Sequence, residues 1–429
     1  MQYPDYLVAD YPFPEFVRVR MNWPDDGLED PAAEVAASLD AVLPASGIAA
    51  GDSVAVAVGS RGISRLTEMT RAVCRKLQDL GARPFLVPAM GSHGGATPEG
   101  QRAVLESLGV TEAYIGVPIR SSLEVTRIGT VHDEVPVWFS RDALEADHAI
   151  CLNRIKPHTK FKGPLESGLA KMLCLGLGKH AGALAWHNWA LKYGFSPLLQ
   201  TMAAEVVAGS NVRFGIGIVE NAREQVMHVE AVPAGQILER EPGLLDKART
   251  AFPRLPVKDL DVLVVRQVGK EISGAGMDPN VTGRAADLME DDFSTSLRAT
   301  RIAVLRLSEQ TAGNAIGVGL ADFITEQVYQ ELDYDKTLTN ALTSVSIRKA
   351  FIPVRLADER MAIQACFTTL GPISPEKVRA VIIRDTRQVG EFWASKTLLA
   401  ELQACPAAEV LSRYPLQFDQ LGRLELENE

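Results

Sequence analysis

Two short apolar runs separated by an amphipathic helical stripe constrain this chain more than any other feature. Ser53–Val58 (SVAVAV) reads as a strand buried on both faces, as in a parallel sheet. After the loop Gly59–Ile63, the apolar residues Leu66, Met69, Val73, Leu77 and Leu80 step by three or four, which is the spacing of one helix face. Ser64 is placed to cap that helix and Gly81 to stop it. Pro84–Val87 supplies a second strand, the loop Met90–Gly95 (MGSHGG) follows, and Thr97–Pro98 opens another helix. This strand–helix–strand–helix order implies a parallel sheet with right-handed crossovers.

The same pattern continues on both sides. Before it, a strand is expected at Phe16–Met21 and a helix at Pro31–Leu43. After it come strands near Val125–Ile128, Val135–Phe139 and Ala149–Leu152, a helix at Pro197–Ala208, and strands at Val212–Val219 and Met227–Ala231. Pro253–Pro256 (PRLP) reads as a linker, and a second α/β unit starts with the strand Leu260–Arg266. A strand at Ile302–Leu307, helices at Asp322–Leu332 and Met361–Leu370 and a strand at Val378–Arg384 complete it. The expected architecture is α/β with two domains and a cleft between them. Residues 1–255 form the larger, N-terminal catalytic and cofactor-binding domain with a mainly parallel sheet, and residues 256–429 the smaller, C-terminal α/β domain. The last helix, around Ser395–Gln403, is a candidate to pack back on the N-terminal domain.

Bulk properties narrow the chemistry. A net charge of -10 argues against general affinity for nucleic acid or an anionic membrane, so any phosphate or carboxylate site must be a local basic pocket. The cysteines Cys74, Cys151, Cys174, Cys366 and Cys405 form no CxxC pair, which disfavours a zinc ribbon or iron–sulfur cluster and suits a reducing compartment. The N-terminal segment has no basic-then-apolar leader pattern and no apolar stretch approaches membrane-spanning length, so a cytoplasmic protein is expected.

Ligands of open α/β sheets bind beyond the carboxyl ends of the strands. The loop after Val58 carries Arg61 and Arg65, the loop after Val87 carries His93, and the loop after Leu152 carries Asn153, Arg154, Lys156 and His158. If those strands are neighbours, these groups converge. His93, in a glycine-rich loop before a helix start, suits an anion site or a general acid or base, or else a histidine that only bonds backbone. Arg154, Lys156, Lys160, Lys162 and Lys171 form either a solvated basic face or a pocket for carboxylate or phosphate. Lys171, among Leu169, Met172 and Leu173, either snorkels out of its helix or is a partly buried amine able to bond a carbonyl or acyl carbon. Three of the 7 histidines (His158, His180 and His187) fall in Leu152–His187, yet their spacing builds no metal motif: His180 and His187 would stand roughly 10.5 Å apart along a helix. One histidine could still hold a metal whose other ligands came from a cofactor.

The histidine loop after the second strand, the Pro157–His158 step, Ser167–Gly168 before Lys171, and a histidine sixteen residues beyond that lysine together resemble the nickel-pincer lactate racemase family, a group of nickel-dependent 2-hydroxyacid racemases and epimerases. GMDPNVTGR (Gly276–Arg284) and GNAIGVGLADF (Gly313–Phe323) resemble a divergent branch of it. The resemblance implies a nickel-pincer nucleotide, a pyridinium mononucleotide (pyridinium-3-thioamide-5-thiocarboxylate) binding Ni through sulfur and carbon. It also implies that Lys171 tethers this group through a thioamide, that His187 is the protein's nickel ligand and that His93 and His158 are the two catalytic bases. Arg65 resembles a family arginine near the cofactor or substrate. Three features depart from the family pattern: Gly94 stands where an arginine usually follows the histidine, Gly62 where an acidic residue is usual, and Gly163–Leu165 reads as an insertion.

The expected function is therefore racemisation or epimerisation of a 2-hydroxy acid by reversible hydride transfer from C2. Arg65, Arg154, Lys156 and Lys270 are the cations expected to hold the substrate carboxylate and cofactor phosphate. Cofactor-biosynthesis enzymes would be upstream partners; neither nucleic acid nor a membrane is expected as one. A non-racemising 2-hydroxy-acid enzyme of dehydrogenase or lyase type and a non-catalytic cofactor-binding protein are the alternatives.

Overall fold

The computed structural model describes residues 3–60, 62–285, 293 and 297–426. The chain divides into two compact units, one of residues 25–252 and one that joins residues 1–24 to 253–429.

In the unit of residues 25–252 the strands β1 (Ser53–Val58), β2 (Arg83–Pro88), β3 (Val125–Val131), β4 (Val135–Ser140), β5 (His148–Arg154), β6 (Val212–Glu220) and β7 (Val226–Pro233) follow in sequence. Five of them form one sheet in the order β2–β1–β5–β6–β7, while β3 and β4 pair as a separate antiparallel hairpin. The first four strands of the sheet are parallel and only β7 runs against its neighbour. Val58 is level with Pro88 on one side and Leu152 on the other, so the three loops expected to carry the site leave the sheet together. From β1 the chain crosses outward to β2; from β5 it crosses the opposite way to β6. The carboxyl ends of β1 and β5 thus flank the point where strand order reverses, where α/β sheets open a crevice.

Strand alternation separates two cores. Val54, Val56, Val58, Leu86, Ile150 and Leu152 face the helices Pro31–Ser46 and Leu66–Asp79. Ala55, Ala57, Phe85, Val87, Ala149 and Cys151 face the layer built by residues 169–209. That second face is paved with small residues for a reason. A methyl group on Gly215 would stand 3.0 Å from the Leu169 side chain, and one on Gly217 would stand 2.8 Å from Ile155. The small face lets the segment bearing Lys171 lie directly on the strands.

The second unit holds an eight-stranded sheet. Val354–Leu356, Phe323–Thr325, Arg298–Leu307, Asp259–Val268 and Ala380–Ile383 run parallel, then Glu391–Ser395, Glu15–Met21 and Ala408–Pro415 add antiparallel strands. The α/β class and mainly parallel sheets agree with expectation, but the domain limits need correction. The linker at Pro253 lies next to the expected boundary at 255, whereas the strand Glu15–Met21 is not part of the N-terminal domain: it pairs with Glu391–Ser395 and Ala408–Pro415. The last helix, Leu399–Gln403, belongs to this same C-terminal unit, and where a helix was expected from Asp322 a strand, Phe323–Thr325, precedes the helix Glu326–Glu331. Among the described residues, no helix is long and apolar enough to cross a membrane.

Candidate active site

Lys171 sits at the end of a single helical turn, Leu169–Lys171, that continues into a π-turn, Met172–Gly176. The helix expected to carry Lys171 is reduced here to this turn, and such wide turns recur at functional sites. A carboxylate under the sheet caps the turn. Glu241, fully buried, accepts the Ala170 N–H at 2.8 Å, and its other oxygen has no hydrogen-bond partner. Gly168 makes room for it, since a methyl group there would meet that second oxygen at 1.9 Å. From the carboxyl end of β5, Asn153 donates to the Gly168 carbonyl at 2.8 Å, and a methyl group added to Gly59, just past β1, would stand 3.4 Å from Asn153 and 3.1 Å from Met172. The lysine turn is therefore clamped to both strands that flank the crevice.

His158 reaches the same place by a loop. Lys156 and Ser167 exchange two backbone hydrogen bonds, of 2.8 and 3.2 Å, closing residues 157–166 at the neck. Inside the loop, the fully buried Glu166 accepts the His158 N–H and, at 2.7 Å, a guanidinium N–H of Arg249; Lys162 stands 3.8 Å away. Arg249 also donates to the Gly163 carbonyl at 2.6 Å. So anchored, the His158 ring lies 4.3 Å from Phe161 and 6.4 Å from Trp186. Its Nδ1 accepts the Lys160 backbone N–H at 3.0 Å, and its Nε2 lies 2.6 Å from Lys171 Nζ. His187, half-buried within the helix Lys179–Tyr193, has its ring 4.8 Å from Trp186. Trp186 thus stands against both histidines.

His93 follows β2, and its Nδ1 is hydrogen-bonded to the Ser60 hydroxyl, two residues beyond the end of β1. Its loop is held from below. Gly91 has φ +62°, in the left-handed region, and packs on Leu175 and Ala183. Lys179, fully buried, donates from Nζ to the Pro88 carbonyl at 2.5 Å. Burial pushes the Lys179 ammonium down to about 8, while the charge of Asp142 pulls it up.

The expected cations are dispersed. Arg154, at the end of β5, is ion-paired with Glu220 on β6. Arg65, at φ 53°, precedes the helix Leu66–Asp79 and forks onto Glu68, with a further donation to the Glu29 carbonyl at 2.6 Å. Ser64 does not cap that helix; its N–H donates to Glu220 at 2.7 Å. Lys160 is buried with its ammonium 4.5 Å from the Phe195 ring centre. Lys156 is placed by its backbone pairing with Ser167. Lys270 belongs to the C-terminal unit, where Nζ donates to Asn340 at 2.7 Å. Arg61 lies outside the described residues, and His180 is exposed.

Glu241, Glu166, Lys179 and Ser60 were given no role by sequence, because only burial or a distant partner distinguishes them. Burial lifts the Glu241 carboxyl up to about 7, opposed by the Ala170 and Leu169 N–H groups. Its folded value lies above the unfolded one, so the native state binds the proton more tightly and stability falls as pH rises from about 4.5 through 7. Denaturant unfolding at pH 5 and pH 8 is expected to show the wild type losing about 2–3 kcal/mol relative to Glu241→Gln. Equal pH dependence of the two proteins would contradict this role.

The fold and these contacts define an α/β protein in which the strand-order reversal is flanked by the Lys171–His158 pair and the Ser60–His93 pair. Residues 25–193, which include every site residue named above from Arg65 to His187, match the lactate racemase N-terminal domain. The chain therefore carries a lactate racemase N-terminal domain. It is also similar in fold to the lactate racemase apoprotein from Thermoanaerobacterium thermosaccharolyticum, with a TM-score of 0.51 and 12% identity over 87% of this chain and 99% of that one. No curated protein matches the sequence.

Proposed function

We propose that this protein racemises or epimerises a 2-hydroxy acid, using a nickel-pincer nucleotide tethered to Lys171. The observation that carries the reading is the contact of Lys171 Nζ with His158 at the strand-order reversal, in a lactate racemase N-terminal domain. The donor set fits the tethered group. An amine is presented at the mouth of the strands and His187 offers an imidazole beyond Trp186. Among the described residues no three His, Cys, Asp or Glu side chains are gathered to hold a metal by themselves. That is the arrangement for a metal brought mostly by an organic ligand and completed by one histidine. When bound, the nucleotide would supply the acceptor and donor for the substrate's C2 hydride.

The chain's own residues do the rest. His93 and His158 handle the proton of the substrate hydroxyl from two different loops, as interconversion of two hands requires. Ser60 can accept from His93 Nδ1–H, which favours the tautomer whose Nε2 carries the lone pair for that proton. The clamp of Asn153, Gly168 and Glu241 fixes Lys171 and so sets where the tethered group meets the substrate. Lys156 and Arg65 remain the cations proposed for the substrate carboxylate and cofactor phosphate, Lys270 is a further candidate, and Arg154 serves through its pairing with Glu220.

The test is a panel of single-enantiomer 2-hydroxy acids offered to protein coexpressed with the cofactor-biosynthesis enzymes, read by chiral chromatography. Interconversion of at least one member is expected. Conversion only to a keto acid or a cleaved product would favour the dehydrogenase or lyase alternative. Retention of the cofactor with no turnover of any member would favour a binding protein.

A further inference from the structure

We propose that Gln101 is a positioning residue for His93: its buried side-chain amide ties together both arms of the loop that holds the histidine against Ser60. The proposal rests on the acid–base reading of His93 above. Gln101 lies in the helix Pro98–Ser107, whose buried residues are Gln101 and Leu105, one turn apart on a single face. Such a stripe is ordinarily apolar, yet Gln101 is wholly buried in it. Its Nε2 donates to the Gly91 carbonyl at 2.9 Å and, more weakly, to the His93 carbonyl at 3.4 Å. Its Oε1 is buried with no hydrogen-bond partner among the described residues. The amide cannot be turned the other way round, because that would set Oε1 against two carbonyl oxygens. A core glutamine with an unmet acceptor costs stability that a leucine or methionine would not. What it provides is a pair of donors aimed at the histidine loop.

The local sequence brings those donors into reach. Gly94 has φ +65°, and a methyl group on it would stand 2.5 Å from the Gly100 backbone; one on Gly100 would stand 1.9 Å from the Gly94 carbonyl oxygen. Bare backbone at both positions lets the end of the loop rest on the first turn of the helix. Thr97 closes that contact, its hydroxyl accepting the Gly100 N–H at 3.0 Å and donating to the Gly94 carbonyl at 3.2 Å. Gln101 is the next residue along and so meets Gly91 and His93. On its other side the loop abuts the segment that carries Lys171 and His187, since a methyl group on Gly91 would stand 3.3 Å from Ala183.

Ser60 belongs to a different loop, just past β1, so the bond from its hydroxyl to His93 Nδ1 needs the backbone of the histidine loop to be fixed. With residues 91 and 93 tied to one amide, the imidazole has only its own two side-chain torsions by which to leave Ser60. Gln101 thus acts on the chemistry through His93 and touches no reacting atom.

Gln101→Met removes the donors and keeps an unbranched side chain of similar length in the core. Full-length, cofactor-free protein labelled with nitrogen-15 histidine and held at pH 8 gives the first readout. Wild-type His93 is expected to show one tautomer. In Gln101→Met its ring nitrogens should move toward the average of a freely exchanging imidazole, while His148, at the amino end of β5, stays unchanged. Gln101→Leu, a second variant without donors, should behave alike. Unchanged His93 nitrogens in either variant overturn the proposal. In the cofactor-loaded enzyme Gln101→Met should lower kcat roughly 10–100-fold, as a slightly misplaced catalytic group does, and leave KM within about twofold. An unchanged kcat, or a loss carried by KM alone, contradicts the positioning role. The spectra need neither loading nor turnover. Failure of the acid–base reading shows instead as full turnover in His93→Ala and leaves the spectroscopic result standing.

Discussion

Cofactor-loaded His93→Ala protein is expected to interconvert its substrate about 10²–10⁴-fold more slowly than the wild type, with its fold and its loading intact. The magnitude is that of a positioned acid–base group. The reason to place it on His93 lies in the two histidine environments. The Ser60 hydroxyl can accept as well as donate, so its bond to His93 Nδ1 suits either protonation state of the ring. His158 is held differently, its Nδ1 accepting the Lys160 backbone N–H. Initial rates on a substrate found in the panel, compared at saturating concentration, check the prediction. Undiminished turnover would remove His93 from the chemistry.

Glu166→Ala is expected to lower the unfolding free energy by about 3 kcal/mol. The carboxylate is wholly buried and gathers the His158 N–H, the Arg249 guanidinium and, at 3.4 Å, the Gly163 N–H. Its removal strands the two N–H groups and leaves the cation without its closest carboxylate. Arg249 keeps Asp246 at 2.9 Å and the Gly163 carbonyl, which holds the loss to the lower part of the range for broken buried pairs. Denaturant unfolding measures it, and a change under about 0.5 kcal/mol, the ordinary effect of a surface substitution, would contradict the anchoring role.

The sheet that builds the crevice was legible because it is local and apolar. Ser53–Val58, Pro84–Val87 and Ala149–Leu152 are runs of small or β-branched residues, and each became a buried parallel strand beside the others. Long-range pairing was not legible. Phe16–Met21 was read as a strand, but its partners lie some 370 to 400 residues along the chain, and no short-range pattern names them. Ser64 had the chemistry of a cap, and the distant carboxylate of Glu220 took its N–H instead. At the site, His93, His158, Lys171 and His187 stood out by residue type and order. The buried carboxylates did not, because a glutamate is ordinarily solvated and only the folded chain shows Glu166 and Glu241 beneath the histidine loop and the lysine turn. Arg154 shows the opposite error: a cation at a strand end looks like a ligand group until Glu220 appears beside it.

The central claim is that Lys171 carries the cofactor, and intact mass with metal analysis tests it most directly. After coexpression with the cofactor-biosynthesis enzymes, wild-type protein is expected to carry a covalent adduct of the nucleotide's mass together with nickel, and Lys171→Ala to carry no adduct. A Lys171→Ala protein with the same adduct and nickel content as the wild type would contradict the account.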